Sequence, residues 1–306
     1  MVLRPTLGGQ WNGAAPSPWV DYYVKMVNEA VTRVKAFDNS VRLIDNDDMW
    51  VLHYWFLEAG LPKALDGFAF HPYVQGNPER AACDQSTSWM APFVAVDADS
   101  SFTSAVRRLR AQGQDKLGHA PQMWVTEWGW AADQANSSGT VFTEDVIAAW
   151  LPRAFILAEA SGVESMCWFS TQDNVDGPMG LTTNDGRKRQ AYQAFKVLSD
   201  AIGDFFYLGQ VLGNDHQTLG VQAHLFTRNN YVKLAIWGIE PATGWLQLND
   251  QLTSAKVTDS MGNVVTPTGG SNGTFWVPYG AAPSYLDFPM QPTRPMLTVS
   301  NTAAAP

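Results

Sequence analysis

Pro121-Gln122-Met123-Trp124-Val125-Thr126-Glu127-Trp128-Gly129-Trp130 reads as a short apolar strand that ends on a carboxylate set among tryptophans. Pro121 opens it, Met123 to Val125 are strand formers, and Gly129 breaks it just past Glu127. A glutamate at the end of a buried strand is costly unless it has a partner or a task. The plain alternative is a strand-terminal Glu paired with an arginine. The surrounding chain decides between the two.

On either side of this stretch, strands and helices alternate. Trp19 to Phe37 carries Val20, Tyr23, Val24, Val27, Val31, Val34 and Phe37 at helical spacing, with Glu29 mid-helix on the solvated face. Val41 to Asp45 reads as a strand that runs into the acidic cluster Asp45, Asp47 and Asp48, and a helix over Met49 to Ala59 stops at Gly60. Leu65 to Tyr73 is a strand whose polar tip is His71 and Tyr73; a long loop to Asp99 and a helix from Ser101 to Gln112 follow. Downstream of Glu127, Thr143 caps a helix to Ala160, with Glu144 and Asp145 in its first turn. The strand Val163 to Ser170 ends near Trp168, and a last helix covers 187–202.

With one more candidate strand at Val2 to Leu7, strand and helix alternate about five times. That predicts an α/β fold with a parallel sheet and right-handed crossovers. Asp45, His71, Tyr73, Glu127 and Trp168 all fall at C-terminal strand ends, where barrel enzymes keep their sites.

Past Gly209 the period changes to two. Val221–Phe226 and Tyr231–Trp237 flank a turn at Arg228-Asn229-Asn230 and predict a β-hairpin. Short strands continue to Asp287, so 209–290 is expected to be an antiparallel β-sandwich, after a catalytic-type domain over 1–208. Residues 291–306 are expected to form a loosely held tail.

With 45% hydrophobic and 16% charged residues among 306, the chain can bury a sizeable core. A net charge of −9 argues against nucleic acid or an anionic membrane as partner. No run of 18 apolar residues would span a bilayer. The N-terminus shows no basic segment followed by an apolar core, so no signal peptide is expected in this form; that leaves the cytoplasm or, after processing, the outside. Cys83 and Cys167 make no disulfide framework, and Cys167 is expected to be a small core residue. The five histidines show no metal-ligand spacing, and neither a metal nor a cofactor is expected.

Adjacent indoles suit sugar rings, whose C–H faces stack on aromatic planes while their hydroxyls need polar neighbours. Trp124-Val125-Thr126-Glu127-Trp128-Gly129 resembles the seventh-strand motif of the retaining glycoside hydrolases of clan A, especially the β-xylosidase and α-iduronidase-like families. Asp66 to Tyr73 resembles their sixth strand, and Trp168 matches their eighth-strand tryptophan. The resemblance covers about 10–290 and implies that Glu127 is the nucleophile, that His71 and Tyr73 lie beside it, and that Trp128 and Trp168 line the sugar site. It also implies a TIM-type (β/α) barrel that is incomplete, because the first three strands have no counterpart. Gln10-Trp11-Asn12-Gly13 stands where those families carry Trp-Asn-Glu-Pro. Trp11 and Asn12 are therefore expected to bind substrate, and Gly13 occupies the acid/base position.

Retaining hydrolysis needs two carboxyl groups roughly 5–5.5 Å apart. Asp45 and Asp47 are the nearest candidates in topology for the second, with a solvated loop or a helix N-cap as their alternative role. Three readings follow: a β-glycosidase with a covalent intermediate at Glu127, a carbohydrate-binding pseudoenzyme, or a partial barrel completed by another chain. Exposed strand edges predict a homo-oligomer, most simply a dimer.

Overall fold

The computed structural model describes residues 18–47, 52–80, 101–136, 138–212, 220–229, 231–239, 242–249, 256–269, 274–289 and 298–302. The expected strand at 2–7, Trp11, Asn12 and most of the long loop before Ser101 lie outside them. The chain divides into two compact units, one of Met1–Val74, Arg80–Trp128 and Ser161–Trp168, the other of Gln75–Glu79, Gly129–Ala160 and Phe169–Pro306.

In the first unit, α1 (Pro18–Phe37) buries Val20, Val24 and Val31 along one stripe. Phe37, expected on the same stripe, is 93% exposed. At ~100° per residue it falls roughly 100° away from Val20 around the helix. Then come β1 (Ile44–Asp47), α2 (Leu52–Glu58), β2 (Gly67–Phe70), α3 (Phe102–Leu117), β3 (Gln122–Trp128) and β4 (Ser165–Trp168). The four strands form a parallel sheet in the order β1-β2-β3-β4.

Ser101 caps α3, its hydroxyl accepting the Ser104 N–H at 3.2 Å. The helix runs five residues beyond its expected end and stops at Gly118, whose φ of 84° only glycine adopts readily. Gly113 lets α3 lie close on β2: a Cβ there would sit 2.7 Å from Phe68 Cε2 and 2.6 Å from Pro121 Cγ. Phe68, Phe70, Met123 and Val125 are buried; Phe68 also packs against the His53 ring of α2, with centroids 5.0 Å apart. Cys167, expected in the core, is exposed. It lies between Met166 and Trp168 on the alternate side of a strand that has a neighbour only at β3 among the described residues.

In the second unit, α4 (Glu144–Ala160) and α5 (Gln190–Ile202) precede two antiparallel sheets. α5 begins three residues later than expected, because Arg187 and Arg189 ahead of it pair with Glu144, and Arg189 also with Asp173. One sheet has the order β10 (Val264–Val265), β9 (Lys256–Asp259), β13 (Ser284–Pro289), β7 (Tyr231–Ile239), β6 (Gly220–Arg228), β5 (Phe206–Leu212). The other has β11 (Thr268–Gly269), β12 (Thr274–Tyr279), β8 (Gly244–Asn249) and β14 (Thr298–Thr302). Val221, Leu234 and Leu286 of the first sheet share a core with Leu246 and Val277 of the second. The β6–β7 hairpin forms at the expected turn, with Asn229 at φ 53°. Two expected limits move. Strand β5 crosses the 208/209 boundary, and β14, within the stretch read as a tail, pairs with β8.

A buried ion pair ties this unit together. Arg153 of α4 donates from Nε to Glu79 Oε1 at 2.9 Å, and its Nη2 pairs with Oε2. Trp237 of β7 donates to the same Oε1 at 2.8 Å, and Arg153 Nη1 reaches the Ala281 carbonyl at 3.1 Å. Both charged side chains are almost wholly buried. Four hydrogen bonds satisfy what burial would otherwise leave bare.

Candidate active site

Strand β3 delivers Glu127 one residue before its end, and the segment after β2 delivers His71 and Tyr73 beside it. The register Phe70↔Val125 sets the two strand ends level. The Tyr73 hydroxyl donates to Glu127 Oε2 at 3.1 Å, and His71 Nδ1 lies 3.5 Å from the same oxygen. Among the described residues no hydrogen bond reaches Oε1. The Glu127 side chain is 37% exposed while that of His71 is 9% exposed, so an open carboxylate is backed by enclosed groups.

His71 also makes a contact that sequence reasoning missed: its Nε2 lies 3.1 Å from Thr126 Oγ1. Successive strand side chains normally point to opposite faces. Thr126 and Glu127 nevertheless reach the same imidazole, and the register shift between Val125 and Trp128 permits it. The signal available in sequence was the hydroxyl beside Glu127 in an otherwise apolar strand.

The structure does not bring Asp45 to this cluster. Asp45 is 3% exposed; it accepts a hydrogen bond from the hydroxyl of Tyr23 on α1 and lies 3.8 Å from His53 Nε2 on α2. Its register (Asp45↔Phe68, Phe68↔Met123) puts it two strands across and four residues back from Glu127, roughly 16 Å between backbones. Its carboxylate is turned to the helical layer, and no second carboxyl of a retaining pair can come from there. Asp47, opposite Phe70, lies roughly 12 Å away by the same reckoning, and its side chain is outside the described residues.

Trp128, expected to line the sugar site, is fully buried. Its ring lies 4.6 Å from that of Phe102 on α3, because the shifted register turns it to the helical side of the sheet. Trp168 pairs in register with Trp128 at the end of β4 and stays partly exposed.

No protein-family model and no curated protein matches this sequence. Solved structures do match. A family 39 glycoside hydrolase from the gut symbiont Bacteroides cellulosilyticus WH2 aligns over 90% of this chain and 64% of its own, with a TM-score of 0.61 and 17% identity. A family 51 arabinofuranosidase from Xanthomonas axonopodis pv. citri aligns over 88% and 62%, with a TM-score of 0.54 and 15% identity. A family 30 subfamily 8 xylanase from Clostridium acetobutylicum aligns over 88% and 60%, with a TM-score of 0.51 and 12% identity. The chain thus spans less than two thirds of each of these proteins. At such identities the likeness concerns the fold: a parallel sheet followed by antiparallel sheets, as in part of a clan A barrel enzyme.

Proposed function

We propose that the chain is a glycoside hydrolase acting on a β-linked sugar by a retaining mechanism, with Glu127 as nucleophile. The observation that carries this is the Glu127 carboxylate, open at the end of β3, with Tyr73 and His71 gathered on one of its two oxygens. Oε1 is then the oxygen that attacks the anomeric carbon as the bond to the leaving group breaks, giving a glycosyl ester. Water hydrolyses that ester in a second step. The leaving group takes its proton from a carboxylic acid on the opposite side, and with Asp45 turned away that acid has to come from outside the described residues or from another chain.

The fold likeness, together with an outer edge on β1 and on β4 that pairs with no strand among the described residues, supports a partial (β/α) barrel joined to a β-sandwich. In this reading a second copy of the chain covers those edges. Light scattering at micromolar concentration tests that part: a strict monomer of 33.6 kDa removes it.

The test of the chemistry is a 2,4-dinitrophenyl β-glycoside panel, whose leaving group needs little protonation. Wild-type turnover, lost in Glu127→Gln, supports the nucleophile; turnover retained in that variant overturns it. Because Asp45 is engaged elsewhere, a second reading stands beside the first, a carbohydrate-binding pseudoenzyme. Sugar binding without turnover of any activated glycoside would select it.

A further inference from the structure

We infer that Thr126 is a positioning residue: its hydroxyl donates to His71 Nε2 and so holds the imidazole in the tautomer that turns Nδ1–H toward Glu127. The catalytic consequence rests on the retaining reading above; the tautomer itself does not.

The geometry carries the inference through a donor count. An ionised carboxylate only accepts, and a neutral imidazole has one N–H. Nδ1 lies 3.5 Å from Glu127 Oε2, and Nε2 lies 3.1 Å from Thr126 Oγ1. If the proton sat on Nε2, the lone pair of Nδ1 would face the carboxylate, which is repulsive. With the proton on Nδ1, the imidazole faces Oε2 with a hydrogen, and the lone pair on Nε2 needs a donor. A threonine hydroxyl can turn to donate, and Thr126 is placed to do so. The second contact on an imidazole fixes which nitrogen serves the first, as it does for histidines that bind metals.

His71 is enclosed while Glu127 is open, so the imidazole is held by its surroundings and the carboxylate stays accessible. Tyr73 Oη donates to the same Oε2 that His71 Nδ1 approaches to 3.5 Å, so both groups gather at one oxygen of the carboxylate. Thr126 adjoins Glu127 in the chain and moves with it, which keeps the three groups in one frame.

The experiment uses the full chain labelled with 15N at histidine, with Thr126→Val, which keeps the shape and removes the hydroxyl, and Thr126→Ser, which restores it. Long-range 15N–1H correlation at about pH 8.5, where ordinary imidazoles are neutral, reads the tautomer of each histidine. His71 should show Nδ1–H in wild type and Thr126→Ser, and shift toward Nε2–H in Thr126→Val, with near-UV circular dichroism unchanged. Nε2–H in wild type, or no change in Thr126→Val, would overturn the inference. In the turnover assay, Thr126→Val should lower kcat roughly tenfold, the scale of lost orienting partners, with KM little changed and with rescue by Thr126→Ser. If wild type turns over no glycoside, the retaining reading falls, and the spectra alone decide the tautomer.

Discussion

Tyr73 Oη lies 3.1 Å from Glu127 Oε2 across 54 residues of chain. Parallel register sets the two strand ends level, since Phe70 sits opposite Val125, and the segment after β2 carries Tyr73 on to Glu127. The contact joins the end of β3 to the segment after β2, and among the described residues it gives one carboxylate oxygen a donor while no hydrogen bond reaches the other.

Tyr73→Phe tests what that donor does. It should lower kcat by roughly ten- to a hundredfold, on the scale of a lost orienting or transition-state hydrogen bond, with KM changed little. Steady-state kinetics on an activated aryl glycoside checks this. A large rise in KM at unchanged kcat would instead make Tyr73 a binding residue.

Arg153→Met should be severely destabilising, by about 3–5 kcal/mol, because among the described residues it leaves Glu79 charged and buried with the Trp237 N–H as its remaining donor. Arg153→Met combined with Glu79→Leu should recover part of that loss, though Trp237 then lacks an acceptor. Urea denaturation of the two variants measures the difference; equal stability of single and double would show that the charge pair is not the cause.

Gly113→Ala should destabilise by about 1–3 kcal/mol, against the usual gain of roughly 1 kcal/mol for alanine in a helix. The new methyl would meet Pro121 and Phe68 at 2.6 and 2.7 Å. A melting temperature equal to or above wild type would mean that α3 shifts freely on the sheet.

His224 gives the fold an acid limit. Burial pushes its imidazole down from 6.5 to about 3, while its ring stacks on Trp237 at 4.9 Å and bonds Gln222 at 2.8 Å. Between those values the unfolded chain binds the proton and the folded one does not, so stability is full above 6.5 and declines as pH falls towards 3. Each unit in that window should remove roughly 1.4 kcal/mol. Melting curves from pH 7.5 to 4.5 should show a shallower decline in His224→Gln; parallel curves would assign the acid sensitivity elsewhere.

The alternation of strands and helices was legible because each element carries its own period, and in places its own stop, as with Gly60; the stop at Gly118 was missed. Glu127, His71 and Tyr73 were legible as polar tips on apolar strands. Which face a tip takes was not legible. Trp128 follows a register shift that no pattern of two reveals, and Asp45 is claimed by Tyr23 and His53, whose approach depends on how α1 and α2 pack. The strand at Thr298–Thr302 escaped because its partner, Gly244–Asn249, lies about 50 residues away in the chain and supplies no local signal. Arg153 left a trace, a cation in the apolar run Leu151-Pro152-Arg153-Ala154-Phe155-Ile156-Leu157, but Glu79 in its loop left none.

The Glu79–Arg153–Trp237 contact also bears on modularity. Trp237 lies inside an antiparallel sheet that looks self-contained in sequence, yet its indole N–H is satisfied by a residue 158 positions earlier in the chain. A fragment beginning at residue 209 would keep the indole and lose both charged partners, leaving a buried donor orphaned at the heart of the sheet. The antiparallel strands are thus not a cassette that can be excised or exchanged at the point where the sequence period changes. Any transplant that keeps them intact has to carry α4 and the loop at 75–79 along with them.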